Sequence, residues 1–334
     1  MFERRSLSEP LAAVRDAYAP DALVLDTDAD FETLPPETAE ELGLLVDSLD
    51  PVAYPTDWLP PNAPEPLRRY AGTDFTVGLP GDGTVVWTRQ TDPPTVLVKH
   101  RADGTPDAFL SFLLAEAFVE LGVGAPESFL PFFGESYAKL AAATPVGPAD
   151  TYQLAAALCD AWVGLYTREV FRSWGTGERA GDRTAQTVLA DLVDPGPAAA
   201  VSDAGAGASA TPTLAALDRV VGDAPPDDRD GPTSGEPEGT AGESPTFGPY
   251  PELYDAWRDA GERLSGRLGD LSSEVAHGRT TFPAATEYAC SAVKHDLSLP
   301  APFGALATAA YREHAAPFAV EWAKKTYERL EEEA

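Results

Sequence analysis

The alternation of apolar and polar positions divides the chain into two ordered stretches with a break between them. "SEPLAAVRDAY", residues 8–18, places Ser8 ahead of Pro10, as a helix N-terminus does. "PPETAEELGLLVDSLD", 35–50, predicts a second short helix. The proline-laden "YPTDWLPPNAPEP" after it excludes long regular structure. The strand signal is "FTVGLPGDGTVVWTRQTDPPTVLVKHR", residues 75–101, where "PGDG" and "TDPP" separate three β-rich runs. Asp-Gly tolerates the positive φ of hairpin turns, so the runs predict a three-stranded antiparallel meander. A lone meander is marginal, so one face must pack on helices.

The next segments supply them. In "PDAFLSFLLAEAFVELG", Asp107, Ser111, Glu116 and Glu120 form a narrow wet stripe on an otherwise apolar, mostly buried helix. Asp150 and Gln153 resemble a capping box before "TYQLAAALCDAWVGLYTREVFRSWG", which Gly175 ends. Leu154, Leu158, Trp162, Leu165 and Phe171 lie near one of its faces. In "YPELYDAWRDAGERLSGRLGDLSSEVA", Leu253, Trp257, Ala260, Leu264, Leu268, Leu271 and Val275 make a single-sided helical seam, with Gly261, Gly266 and Gly269 off it. Helices near 283–296, 303–315 and 317–332 complete the chain, and no internal repeat is seen. The tryptophans fall mostly at core-like periodicities.

Residues 175–248 differ in kind. "DAPPDDRDGPTSGEPEGTAGESP" holds seven acidic residues and one Arg, too little apolar surface to offset its ordering entropy. Only two weak helical patches, "TAQTVLADLV" and "TPTLAALDRVV", interrupt the segment. The expected fold class is α+β and helix-dominated: a small three-stranded antiparallel meander packed on a helical core, with a long disordered acidic insert. Residues 1–174 form the helical core with the meander, 175–248 the insert, and 249–334 a set of C-terminal helices docking on the core.

Composition changes the picture in one respect. At 43% hydrophobic residues the chain can bury a core, yet its net charge is -30. Five Lys stand against nineteen Arg, Ile is absent and Asn62 is the only Asn. That scarcity points to a GC-rich genome, and the acidity to a salt-filled cytoplasm. At molar salt the Debye length is roughly 3 Å, so like surface charges barely repel. Read as solvent adaptation, the charge argues only mildly against nucleic acid; the lack of a basic stripe argues further against it. Cys159 and Cys290 have no metal-ligand spacing and lie in apolar stretches, where buried thiols are common. No signal-peptide pattern and no bilayer-spanning apolar run is present, so the expected address is the cytoplasm.

Candidate chemistry is sparse. "LVLDTDADFETLPPE", residues 23–37, sets Asp26, Asp28, Asp30 and Glu37 at positions 1, 3, 5 and 12 of a calcium loop. Phe31 at position 6 resists the sharp turn, and Pro35 and Pro36 break the helix that should follow. A strand ending in D-x-D also resembles the first motif of haloacid-dehalogenase-type phosphatases. That likeness would make Asp26 a nucleophile and Asp28 an acid/base around Mg²⁺. Ala29 and Asp30 do not continue the pattern, and the largely helical remainder lacks the repeated βα units. The plainer reading is an edge strand or extended segment followed by a solvated acidic loop. "PGDG" lacks the Lys of a P-loop, and "WGTGERAGDR" follows no strand. His100, His277, His295 and His314 include no helical metal pair.

One C-terminal constellation remains: Glu287, Cys290, Lys294, His295 and Asp296. Lys294, one turn from Cys290, could lower the thiol pKa, and His295 could act as a base. The plainer reading is a surface Lys-His-Asp cap at a helix C-terminus.

"FTVGLPGDGTVVWTRQTDPP", the apolar helix after it and "LPPETAEELGLLVDSLDP" resemble a haloarchaeal family of unknown function. The resemblance implies a haloarchaeal cytoplasmic protein and carries over no catalytic residue, cofactor or metal. With no cofactor and no membrane segment expected, two functions stand. One is a non-enzymatic interaction or scaffold protein that meets another protein through the C-terminal helical seam or the acidic insert. The other is an enzyme with a site at the junction of meander and helices. The enzyme reading would gain if Asp26, Asp28, Arg89, Lys99 or His295 met in one cleft.

Overall fold

The computed structural model describes residues 2–31, 34–72, 75, 77, 83–175 and 250–333. The acidic insert with its two helical patches, and the "PGD" of the expected hairpin turn, lie outside the described residues. The fold is α+β and helix-dominated.

Its sheet has four strands, not three. In spatial order they are β1 (Phe2–Arg4), β2 (Leu23–Thr27), β6 (Thr95–Val98) and β4 (Val85–Thr88). β4 and β6 pair antiparallel as the turn chemistry implied, with Trp87 opposite Val96. The expected separator between them, "TDPP", itself supplies a short strand, β5 (Thr91–Asp92), which pairs with β3 (Ser48–Leu49). Phe75 and Val77, from the first run of the expected meander, are not in a strand. β2 lies parallel to β6, Leu25 opposite Leu97, and antiparallel to β1. It is therefore an interior strand, not the edge or extended segment its acidic neighbours suggested. Parallel partners need a crossover connection, so hairpin spacing could not reveal this pairing.

Side-chain alternation along β2 and β6 divides the core. Val24, Val96 and Val98 face α1 (Glu9–Tyr18) and α4 (Asp107–Gly122). Leu23, Leu25 and Leu97 face the other way, onto Leu42 of α2 (Pro36–Gly43) together with Phe31 and Leu34. This is the period of two expected of a sheet covered on both faces. α2 is shorter than the predicted helix because the chain turns after Gly43 toward β3.

The largest core is helical. α3 (Glu65–Tyr70), α5 (Phe129–Phe133), α6 (Ser136–Ala143) and α7 (Pro148–Gly175) pack with α9 (Leu271–Ala276), α10 (Phe282–Lys294) and α11 (Ala309–Glu333). α7 starts at Pro148, so Asp150 lies in its first turn and caps nothing; the Gln153 amide donates to Glu287 on α10. α7 and α10 cross closely at Gly164, where a Cβ would lie 3.1 Å from the Cα of Lys294.

The seam helix breaks after Ser265. α8 (Pro251–Ser265) is followed by a 3-10 turn at Leu268–Asp270 and then α9. Leu253, Trp257, Leu268 and Leu271 of the seam are buried within the fold. Gly261, expected off the seam, is also buried; a Cβ there would meet His295 Cβ at 3.0 Å. Residues 303–307 form a 3-10 helix, and α11 kinks at Ala315, φ 46°, ahead of Pro317. Among the described residues no helix is long and apolar enough to cross a membrane.

Candidate functional site

A cavity of about 530 Å³ opens where the sheet meets the helices. β4 supplies Val85 and Trp87, α4 Glu116 and Glu120, α7 Tyr152, Gln153, Ala156 and Asp160, and α10 Glu287 and Lys294. Glu127 and Phe129 line it from the start of α5. Its size is that of a small-molecule site.

Two of the four residues read as a wet stripe on α4, Glu116 and Glu120, line this cavity, where Lys294 of α10 reaches them. Lys294 Nζ lies 3.1 Å from Glu116 Oε1 and 3.5 Å from Glu120 Oε1. Trp87 donates its indole N–H to the other Glu120 oxygen at 2.8 Å. Trp87 is therefore more than packing. Burial pushes the Glu120 carboxyl up, and Lys294 pulls it back part of the way. Burial works against the charge on Lys294. Glu116, Glu120 and Asp160 outweigh that cost and hold its ammonium well above the usual lysine range.

Glu127 ties down the turn after β4. It accepts from Thr88 Oγ1 at 2.8 Å, Gln90 Nε2 at 2.7 Å and the Arg89 backbone N–H at 3.1 Å. Arg89 itself donates to the Leu121 carbonyl at 2.8 Å, closing the C-terminal end of α4.

Asp160 stands apart from these tied carboxylates. It is an exposed residue whose carboxyl opens into the cavity, with protein on several sides of it. That enclosure pushes its carboxyl up from 3.8 to about 6, with Lys294 opposing the shift. Among the described residues Asp160 makes no hydrogen bond or ion pair, although α7 holds it in the middle of an apolar run.

The C-terminal constellation is scattered by the fold. Lys294 enters the cavity. His295, the next residue, is packed against α8, with Nδ1 donating to the Trp257 carbonyl at 2.9 Å. Burial, then Lys294, lowers its pKa to about 4. Asp296 turns to Arg168 and Arg172 on α7, at a φ of 56°. The three residues are no common surface cap. Cys290 is fully buried, and burial, reinforced by Asp160 and Glu287, pushes its thiol well above the ordinary range. Lys294 pairs with carboxylates, and the lowering of the Cys290 thiol that it could have caused is not seen.

Asp26 and Asp28 line a second cavity of about 360 Å³ with Arg5, Lys99 and His100, at the carboxyl ends of β2 and β6. Of the five residues expected to mark an enzyme, Asp26, Asp28 and Lys99 meet here; Arg89 and His295 lie elsewhere. Asp26 accepts from Arg5 Nε at 2.9 Å. Asp30 lies outside this cavity, bound by the Arg101 backbone N–H at 3.0 Å and by its guanidinium. The backbone bond and then the side chain hold the Asp30 carboxyl below the usual range. The bound Arg101 shows why the acidic loop is no calcium loop. Among the described residues no group of His, Cys, Asp or Glu could hold a metal ion.

The residues that matter most in the larger cavity, Glu116, Glu120 and Asp160, were not candidates. Their signal was available: Glu116 and Glu120 on the narrow polar stripe of α4, and Asp160 inside an apolar run of α7.

The architecture defines an α+β protein with a polar cavity at its sheet–helix junction. The chain belongs to the family of unknown function DUF7089, which it matches over residues 1–185 and 246–330. No curated protein and no solved structure matches it.

Proposed function

We propose that this protein binds a small organic molecule in the junction cavity. The observation that carries the reading is a volume of about 530 Å³ lined by convergent polar groups, one of which, Asp160, has no partner within the described fold. The position is the sheet–helix junction at which an enzyme site was expected, and Asp160, with a pKa near 6, has the character of an acid/base group. Of the seam offered to a protein partner, Leu253, Trp257, Leu268 and Leu271 are buried within the chain, so these four are not open to one.

The test is a thermal-shift screen of neutral, anionic and cationic small molecules against the full chain and against Ala156→Phe, which fills the cavity from α7. Compounds that raise the Tm of the native chain and not of the variant are the expected result. A blank screen in all three charge classes would overturn the reading.

We also propose a haloarchaeal cytoplasmic setting, on the net charge of -30 and the scarcity of Lys. Circular dichroism across a KCl titration should then show loss of helix at low salt. Full helicity in dilute buffer contradicts it.

A further inference from the structure

We propose that the occupant of the junction cavity is an organic amine, whose ammonium is held by Asp160 with Glu287 nearby. The inference rests on the cavity being a ligand site and names the chemical class that the site takes.

Five carboxyl groups line the cavity: Glu116, Glu120, Glu127, Asp160 and Glu287. Four have a donor within the protein. Glu116 and Glu120 share Lys294, Glu120 also takes the Trp87 indole, Glu127 takes three donors around β4, and Glu287 takes the Gln153 amide. Asp160 alone is left facing the cavity with none among the described residues. Asp160 is exposed where the cavity opens, and an ammonium entering there would bring three donors to its carboxyl.

The charge balance points the same way. Lys294 is the one cation lining the cavity among the described residues. Burial favours the protonated forms of Glu120 and Glu127. Even with both neutral, Glu116, Asp160 and Glu287 outnumber it. A ligand carboxylate or phosphate would enter a net negative field and find the Lys294 ammonium already between two glutamates. A neutral polar ligand would satisfy Asp160 but gain nothing from that field. An amine gains both, and the rings of Tyr152 and Phe129 on the cavity wall suit its carbon chain.

Three four-carbon probes isolate charge from size: 1,4-diaminobutane, 1,4-butanediol and succinate. Each is titrated calorimetrically into the full chain, at one fixed KCl concentration that keeps it folded. The diamine should bind at least tenfold more tightly than either of the others. Asp160→Asn, which keeps shape and removes charge, should weaken the diamine at least tenfold; Glu287→Gln, at an exposed position, should weaken it less. Equal or tighter binding of the diol or succinate overturns the amine assignment. So does unchanged diamine binding by Asp160→Asn, or binding of none of the three. The two readings fail separately. If the wider screen finds a neutral or anionic compound that Ala156→Phe excludes, the cavity stands as a ligand site and only the amine falls. If that screen is also blank, both fall.

Discussion

The two cavities differ in how their carboxylates are spent. At the carboxyl ends of β2 and β6, Asp26 is bonded to Arg5 and the neighbouring Asp30 to Arg101. At the junction, one ammonium serves two glutamates while Asp160 faces open space. The first arrangement looks like a motif in the sequence and behaves as surface ion pairing. The second has no motif, because its members come from β4, α4, α7 and α10 and meet only through packing. A run of nearby acids is thus a poorer guide to a site than one acid where the pattern demands an apolar residue.

Removing one cation from each place should give the largest contrast. Lys294→Met leaves Glu116 and Glu120 buried without their partner and should cost about 3 kcal/mol. Arg5→Met opens a half-exposed pair and should cost less than about 1 kcal/mol. Denaturant unfolding of both variants measures the difference, and equal losses would erase the distinction between the cavities.

The pH dependence comes next in size, and two groups oppose one another. The folded-state pKa of His295 is about 4, below its ordinary 6.5. Its stabilising contribution is therefore full above pH 6.5 and is lost as pH falls toward 4, about 3 kcal/mol over the whole window. Asp160 is raised from 3.8 to about 6, so its contribution is full below 3.8 and lost as pH rises through 6. His295→Gln, which can still donate to the Trp257 carbonyl, should lose less stability between pH 7 and pH 4.5 than the native chain. Asp160→Asn should gain slightly in Tm over the native chain at pH 7, solvent at this exposed residue keeping the gain small, and the gain should shrink toward pH 4. Parallel Tm curves for all three proteins would contradict both assignments.

Much of the fold was legible in the chain. The spacing of Leu154, Leu158 and Trp162 marks the buried face of α7, and "FLSFLLAEAFVELG" reads correctly as a buried helix. What escaped was long-range. β2 pairs with a strand some seventy residues on, and nothing in "LVLDT" names that partner. β5 falls in the expected separator "TDPP" and pairs with β3, hidden in a predicted helix. Similarly, Lys294, His295 and Asp296 read as one cluster on paper. A left-handed residue at 296 and three different packing partners send them to the cavity, to α8 and to α7. Local pattern predicts elements well and says little about which face of a helix meets a cavity.

The most direct test is crystallographic. The full chain would be co-crystallised with the tightest binder from the screen and the bound molecule located. The account expects it between β4, α4, α7 and α10, with a polar atom in hydrogen-bond reach of the Asp160 carboxyl. A molecule seated instead beside Asp26 and Asp28, with the junction cavity empty, would contradict it.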